Sequence, residues 1–142
     1  MKENTNEMKL IFDSRPENEG LARIAAAAFC TQLNPTLEEV SDLKTAVSEA
    51  VTNCIIHAYD GKVQKIELSC RIQEQTLFVD VIDYGIGISD ISRAMEPLFT
   101  TRPEQERSGM GFTFMEAFMD EVTVESQIGK GTVVHMKKTI RR

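Results

Sequence analysis

The sequence predicts an α+β protein: a two-layer sandwich in which helices cover one face of a mixed, mostly antiparallel sheet. Apolar residues alternate along five short segments, as in half-buried strands, and recur at helical spacing along three others. These segments follow one another in the order βααββαββ. A length of 142 residues fits one domain, so we expect a single domain over residues 1–142.

The first two segments are a strand and a helix. Met8 to Phe12 has the pattern of a short strand, and Ser14, Pro16 and Glu17 then supply the residue types of an N-terminal capping box. A helix is therefore predicted to begin there. Its predicted buried stripe consists of Leu21, Ile24, Ala28 and Phe29.

A second, longer helix is predicted after the break at Asn34 and Pro35. Thr36 and Glu39 have the spacing of another capping box, which places the start of this helix. Its predicted buried positions recur every three or four residues: Leu37, Val40, Leu43, Val47 and Val51.

The remaining segments are predicted to form two hairpins and one helix. The predicted strands are 63–72, 76–82, 122–126 and 132–138, and the helix is 112–120. Residues 89–108 contain two prolines and no persistent period. Because so long a loop in a compact domain usually has a function, we predict a lid that covers a ligand.

Two polar motifs lie next to these apolar segments. Glu49, Asn53 and His57 recur every four residues, so on an α-helix they line one face. Asp83 follows an apolar strand and precedes Gly85 and Gly87, which let the backbone bend closely around a ligand. Together the two motifs predict an ATP site.

ATP with magnesium requires a group that reads adenine, oxygen ligands for a hard cation and backbone donors for the phosphates. Asp83 can accept a hydrogen bond from the adenine amino group, with Thr132 on a neighbouring strand helping directly or through water. Asn53 can give its amide oxygen to Mg²⁺. Glu49, one helical turn earlier, is placed to act as a general base toward an attacking hydroxyl.

The phosphates would be bound by the glycine-rich segment before the third helix. Amides around Gly109 and Gly111 can hold phosphate oxygens, while Arg107 and Arg102 neutralise developing charge. Each motif alone has an ordinary alternative, such as a solvated helix face, a tight turn or a surface cation. The ATP site is favoured because all the motifs occur together and in this order.

Composition and charge argue against several other classes. A net charge of −6 argues against direct binding of nucleic acid. No apolar run reaches the length of a signal-peptide core or a spanning helix, so we expect no membrane association and a cytoplasmic location. Cys30, Cys54 and Cys70 form no CxxC pair, which favours small core residues over a zinc site or disulfides.

Three segments resemble the sequence boxes of a known ATP-binding fold. Glu49–His57, Asp83–Gly87 and Gly109–Gly111 are similar to the N, G1 and G2 boxes of the Bergerat fold. Type II topoisomerases, the Hsp90 chaperone, mismatch-repair MutL and histidine kinases share that fold. The resemblance covers nearly the whole chain and implies ATP and Mg²⁺ as cofactors.

A narrower resemblance is to the anti-sigma-F factors of sporulating bacilli, which are serine kinases. The segments that carry it are Val47–Asn53, Pro97–Thr101 and Arg107–Phe112. This family implies a homodimer that holds its sigma factor inactive when ATP is bound. It also implies that the chain phosphorylates a serine on an anti-anti-sigma protein.

The same resemblance implies roles for individual residues. Glu49 would be the base, Asn53 the magnesium ligand and Asp83 the adenine reader. Arg23 on the first helix matches the position that contacts the sigma factor and the anti-anti-sigma protein, although alone it is an ordinary exposed arginine. The remaining nucleotide-binding residues would be Gly85, Gly87, Thr100, Arg107, Ser108, Gly109, Gly111 and Thr132.

Other functions remain as alternatives at this point. One is a nucleotide-gated module that binds sigma factor without transferring phosphate, and another is an anti-sigma kinase of the stress response. A detached histidine-kinase domain is disfavoured because His135 lies in a terminal strand and no phosphoacceptor helix precedes the domain. A topoisomerase or chaperone ATPase would need additional domains, for which 142 residues leave no room.

Overall fold

The computed structural model describes residues 3–88 and 111–140. The elements follow the predicted order βααββαββ, with a short 3₁₀ turn and a π-helical turn added. They are β1 (Thr5–Asp13), α1 (Asn18–Cys30), the 3₁₀ turn Thr31–Leu33, α2 (Leu37–Asn53), the π-helical turn Cys54–Ala58, β2 (Lys65–Gln73), β3 (Thr76–Asp83), α3 (Gly111–Phe118), β4 (Glu121–Gln127) and β5 (Gly131–Thr139). The predicted lid over 89–108 lies outside the described residues.

The described strands form one five-stranded sheet in the order β1-β2-β3-β5-β4. All four pairings are antiparallel. Because β5 lies between β3 and β4, the end of β3 faces the start of β5, and Asp83 pairs with Thr132. This crossover brings together residues that are far apart in the chain.

The helices cover one face of the sheet, as the α+β prediction requires. Alternate side chains of β2 and β3 point into the core, including Leu68, Val79 and Val81. α2 lies between α1 and α3 and supplies Leu43 and Val47, which are fully buried. Burial of this apolar face is the main force that holds the two layers together.

The predicted buried stripe of α1 is largely wrong. Leu21 and Ile24 are 50% and 59% exposed, and Ala28 is also exposed; of the predicted set, Phe29 is buried. The helix instead turns Ala22 and Ala26 inward, together with Phe29 and Cys30. Small alanines let the helix backbones approach closely, so packing between α1 and α2 selects this face.

The two predicted capping boxes have opposite outcomes. Around Thr36 the box is confirmed, since the Glu39 amide donates to the Thr36 hydroxyl at 3.1 Å and the Glu39 carboxylate accepts from the Thr36 amide at 2.9 Å. The Ser14 box is wrong: α1 has no side-chain cap, and the Ser14 hydroxyl accepts from the Gln64 amide at 3.0 Å. Leu37, predicted buried, is 91% exposed because it lies in the first turn of α2.

Within the described residues, no helix is both long enough and apolar enough to cross a membrane.

Candidate active site

The C-terminal part of α2 carries a carboxylate and an amide into the interior. Glu49 is 9% exposed and lies one turn before Asn53. The Oδ1 and Nδ2 atoms of Asn53 are both shielded from solvent, and neither has a hydrogen-bond partner among the residues described. A buried polar group left without a partner costs about 1–3 kcal/mol. The amide of Asn53 is therefore a candidate contact for a polar ligand or cation.

A π-helical turn continues α2 beyond Asn53. Such turns are rare and frequently occur at functional sites. Here the turn, Cys54–Ala58, ends with a carbonyl that accepts a hydrogen bond from the Ile86 amide at 2.8 Å. The hydroxyl of Tyr59 accepts another from the Tyr84 amide at 2.8 Å. The loop after β3 is thus attached to the end of the helix that carries Asn53.

Asp83 ends β3 and points a buried carboxylate into the site. Its Oδ1 atom accepts from the backbone amides of Gly85 at 3.0 Å and Thr132 at 3.2 Å. Its Oδ2 atom accepts from the Cys54 thiol at 3.4 Å. Burial raises the pKa of Asp83, although all three hydrogen bonds act to lower it. Burial and the neighbouring Asp83 raise the pKa of the Cys54 thiol well above its ordinary value, so this thiol remains a donor.

Three glycines allow the backbone segments around Asp83 to approach one another. A Cβ on Gly85 would collide with the carbonyl of Ala58, and one on Gly131 would collide with the carbonyl of Asp83. Gly87 has a φ of +81°, which favours glycine, and it packs against the end of β4. These positions therefore require glycine for close approach of the backbone.

The hydroxyl groups of Thr132 and Ser126 extend this network. Their oxygens lie 2.7 Å apart, and Ser126 also donates to the Gly131 carbonyl at 3.1 Å. The Ser126 oxygen accepts from the Ile88 amide at 2.7 Å. The G1 loop is consequently fixed at both ends, by Ala58 on the helix side and by Ser126 on the sheet side.

The structure brings together only part of the set predicted from sequence. Glu49 and Asn53 lie one turn apart on α2, while Asp83, Gly85 and Thr132 are joined by hydrogen bonds. Gly87 lies in the same loop, and Gly111 begins α3. The other predicted residues lie outside the described ranges: Thr100, Arg102, Arg107, Ser108 and Gly109.

Arg23 lies across a small cleft from the predicted base. Its guanidinium forms an ion pair with Glu19 at 2.9 Å on α1. A cavity of about 220 Å³ is lined by Arg23, Ser41, Lys44, Thr45, Ser48 and Glu49. The residue predicted to contact partners and the residue predicted to accept a proton therefore line the same opening.

Sequence reasoning missed two side chains that support the site. Cys54 had the pattern of an ordinary core residue, which its burial confirms, but it also contacts Asp83. Ser126 had the pattern of a strand residue only. The Cys54 contact joins the turn after α2 to the end of β3 across 29 residues, for which local sequence carries no signal. The Ser126 contact depends on the register of the β4–β5 hairpin, in which Ser126 pairs with Thr132.

Comparison with known proteins gives a consistent result. Residues 12–138 match the family described as the histidine kinase-like ATPase domain. An anti-sigma F factor of Caldanaerobacter subterraneus is 56% identical over 140 residues, which are 99% of this chain and 98% of that protein. Another, of Geobacillus kaustophilus, is 54% identical over 138 residues, or 96% of this chain and 94% of that protein.

A solved structure supports the fold independently. The crystal structure of the RsbU and RsbW domains of a Mycobacterium tuberculosis protein matches with a TM-score of 0.68 at 14% sequence identity. The match covers 96% of this chain and 33% of that chain. At this identity the likeness concerns the fold alone.

The fold and the family match define a histidine kinase-like ATPase domain, a class that binds ATP. Within that class, the chain belongs to the anti-sigma F factor family, with 54–57% identity over nearly its whole length. The resemblance drawn from the sequence boxes is thereby confirmed.

Proposed function

We propose that this protein is an ATP-dependent protein serine kinase that also binds and inhibits a sporulation sigma factor. Its substrate would be a serine of an anti-anti-sigma protein. The observation that carries the proposal is the buried amide of Asn53, which has no partner among the described residues and lies one helical turn from the buried carboxylate of Glu49. Such an arrangement suits a protein that binds a polar ligand beside a proton acceptor.

Nucleotide binding is assigned to the two halves of the site. Asp83 would accept a hydrogen bond from the adenine amino group through Oδ2, the oxygen to which no backbone amide of residues 3–88 and 111–140 donates. The Asn53 amide oxygen suits Mg²⁺, a hard cation that prefers oxygen ligands. When bound, Mg²⁺ would neutralise phosphate charge. Among residues 3–88 and 111–140, no group of three or more His, Cys, Asp or Glu is placed to hold a metal ion, so the phosphates would supply further oxygen ligands.

Glu49 would act as the general base for transfer. Its carboxylate takes the proton of the serine hydroxyl, whose oxygen forms a bond to the γ-phosphorus while the bond to the ADP oxygen breaks. The products are phosphoserine and ADP. The cleft shared by Glu49 and Arg23 gives the partner's serine a route to the carboxylate.

The direct test is transfer from ATP labelled at the γ-phosphate to purified anti-anti-sigma protein in the presence of Mg²⁺. The wild type, Glu49→Gln and Glu38→Gln would be compared. Glu38 is a matched control because it is an exposed glutamate in the first turn of the same helix. Transfer by the wild type and Glu38→Gln, a large loss in Glu49→Gln, and acid stability of the product are expected.

The alternative is a nucleotide-gated binding module, in which ATP controls sigma-factor affinity without transfer. It would be supported if the wild type binds ATP and sigma factor but transfers no label. Equal transfer by Glu49→Gln and the wild type would show that Glu49 is not the base. An acid-labile product would point instead to phosphohistidine.

Partner binding is assigned to the exposed side of α1. Arg23 lies at the edge of that side, with its side chain 35% exposed, and Leu21 and Ile24 of the same helix are half exposed or more. Arg23→Glu is expected to weaken binding of sigma factor and of anti-anti-sigma protein while leaving the ATP affinity unchanged. Lys9→Glu on β1 is the control, because that lysine is also exposed but lies outside the cleft. Analytical ultracentrifugation would test the expected homodimer.

A further inference from the structure

Among the described residues, the carboxylate of Asp83 accepts three hydrogen bonds, two from backbone amides and one from a side chain. Oδ1 accepts from the backbone amides of Gly85 and Thr132, at 3.0 and 3.2 Å. Oδ2 accepts from the Cys54 thiol at 3.4 Å. Within the described residues, Cys54 is therefore the side chain that orients the oxygen left available to a ligand.

This contact is part of the interior. Cys54 is 4% exposed, and its backbone amide donates to the carbonyls of Ala50 and Val51 in the last turn of α2. Cys54 directly follows Asn53 in the chain and also touches Asp83. It therefore joins the end of the helix that carries Asn53 to the carboxylate of Asp83, the two residues to which nucleotide binding is assigned.

The other cysteines show that burial alone does not create this contact. Cys30 and Cys70 are both fully buried. Neither donates to a carboxylate in the part of the chain that the structure describes. They provide a matched comparison, because the same side chain is buried in the same core without touching the site.

We propose that Cys54 is a positioning residue for recognition of the base. Its thiol fixes the plane of the Asp83 carboxylate and occupies one acceptor position of Oδ2, so that the other is directed at the ligand. A 6-amino purine presents an N–H donor to that position, whereas a 6-oxo purine presents an oxygen that a carboxylate repels. Cys54 thereby increases the preference for ATP over inosine triphosphate, a role that rests on the proposed function.

The test compares dissociation constants for ATP and inosine triphosphate, measured by titration calorimetry. The variants are Cys54→Ala, Cys54→Ser and the control Cys70→Ala. Removing one hydrogen bond to the carboxylate is expected to weaken ATP binding about three- to tenfold in Cys54→Ala, with little change for inosine triphosphate. Cys54→Ser retains a donor and is expected to restore the preference to within about twofold of the wild type.

The outcomes separate this inference from the proposed function. An unchanged ATP preference in Cys54→Ala would overturn the positioning role while leaving the ATP site intact. Equal weakening of both nucleotides in the alanine and serine variants would also overturn it, because that pattern indicates packing alone. Failure of the wild type to bind ATP would overturn the proposed function and this inference together.

A second measurement reports the hydrogen bond directly in the wild type, with Cys54→Ala used only to assign the signal. The infrared S–H stretching band of Cys54, identified by its loss in Cys54→Ala, reports the hydrogen bond in the wild type. It is expected to shift when ATP binds, since the adenine amino group then shares Oδ2. A band that does not move on saturation with ATP would contradict the proposed arrangement.

Discussion

Gly85→Ala is expected to destabilise the fold and to remove ATP binding at the same time. The new Cβ would lie 2.8 Å from the Ala58 Cβ and would collide with the Ala58 carbonyl. These are backbone and Cβ atoms of a buried turn, so no flexible side chain can move aside. The hydrogen bond from the Ile86 amide to the Ala58 carbonyl, 2.8 Å long, would also be disrupted.

The expected magnitude follows from these two effects. Overpacking of a close-packed site costs about 1–3 kcal/mol, and a backbone hydrogen bond contributes about 1 kcal/mol. We therefore expect the free energy of unfolding to fall by about 2–4 kcal/mol, a large part of the roughly 5–15 kcal/mol typical of a domain. ATP binding should be lost because Asp83 and the loop after β3 would move away from Ala58 and from the helix that carries Asn53.

Urea denaturation of the wild type, Gly85→Ala and Gly20→Ala would measure this effect. Gly20 lies in α1, where a Cβ would be 3.5 Å from the Arg23 guanidinium, an ordinary contact. Gly20→Ala is therefore expected to raise the free energy of unfolding by about 0.5–1 kcal/mol. If the free energy of unfolding of Gly85→Ala lies within about 0.5 kcal/mol of the wild-type value, Gly85 does not pack closely against Ala58.

Three further results are expected. Asn53→Ala should abolish ATP binding in titration calorimetry without lowering the free energy of unfolding in the absence of nucleotide, because it removes a buried amide that has no described partner and costs about 1–3 kcal/mol; intact ATP binding would contradict its role. Thr36→Ala should lower the free energy of unfolding by about 1 kcal/mol, measured in urea, because it removes the confirmed capping box; no change would mean that the cap contributes nothing. His135→Gln should reduce stability most at low pH. Partial burial lowers the pKa of His135, but hydrogen bonds and charges of Asp80 and Glu125 raise it overall above 6.5, so the protonated form is favoured by folding. The stabilisation by His135 is complete below pH 6.5 and disappears as the pH rises through its folded-state pKa. If urea titrations show that His135→Gln lowers the free energy of unfolding equally at low and at high pH, this role of His135 is contradicted.

Features determined by neighbouring residues were predictable. Thr36 and Glu39 are three residues apart, and their reciprocal hydrogen bonds require only the first turn of the helix that they start. Hairpin strands such as 76–82 also matched the structure closely, since their alternation reflects burial on one face of the sheet. The motifs Glu49–Asn53 and Asp83–Gly87 were predictable because each consists of neighbouring residues, on one helix face or in one loop.

Features determined by packing between distant segments were not predictable. In α1, apolar residues occupy two faces, and Leu21 and Ala22 were equally compatible with burial until α2 selected the smaller side chain. Ser14 was expected to cap a helix, but its hydroxyl bonds to Gln64, 50 residues away. The rules of hydrophobic periodicity and helix capping treat one helix or strand at a time. They therefore cannot predict which face of α1 packs against α2, or that Ser14 bonds to Gln64.

The ATP affinity of Asp83→Asn, measured by titration calorimetry beside Asp80→Asn, tests the central claim most directly. Both aspartates lie on β3, but Asp80 faces His135 on the other side of the sheet. An asparagine at 83 would lose the charged acceptor, so ATP is expected to bind at least about tenfold more weakly, while Asp80→Asn stays within about twofold of the wild type. Equal ATP affinity of Asp83→Asn and the wild type would contradict the assignment of this site.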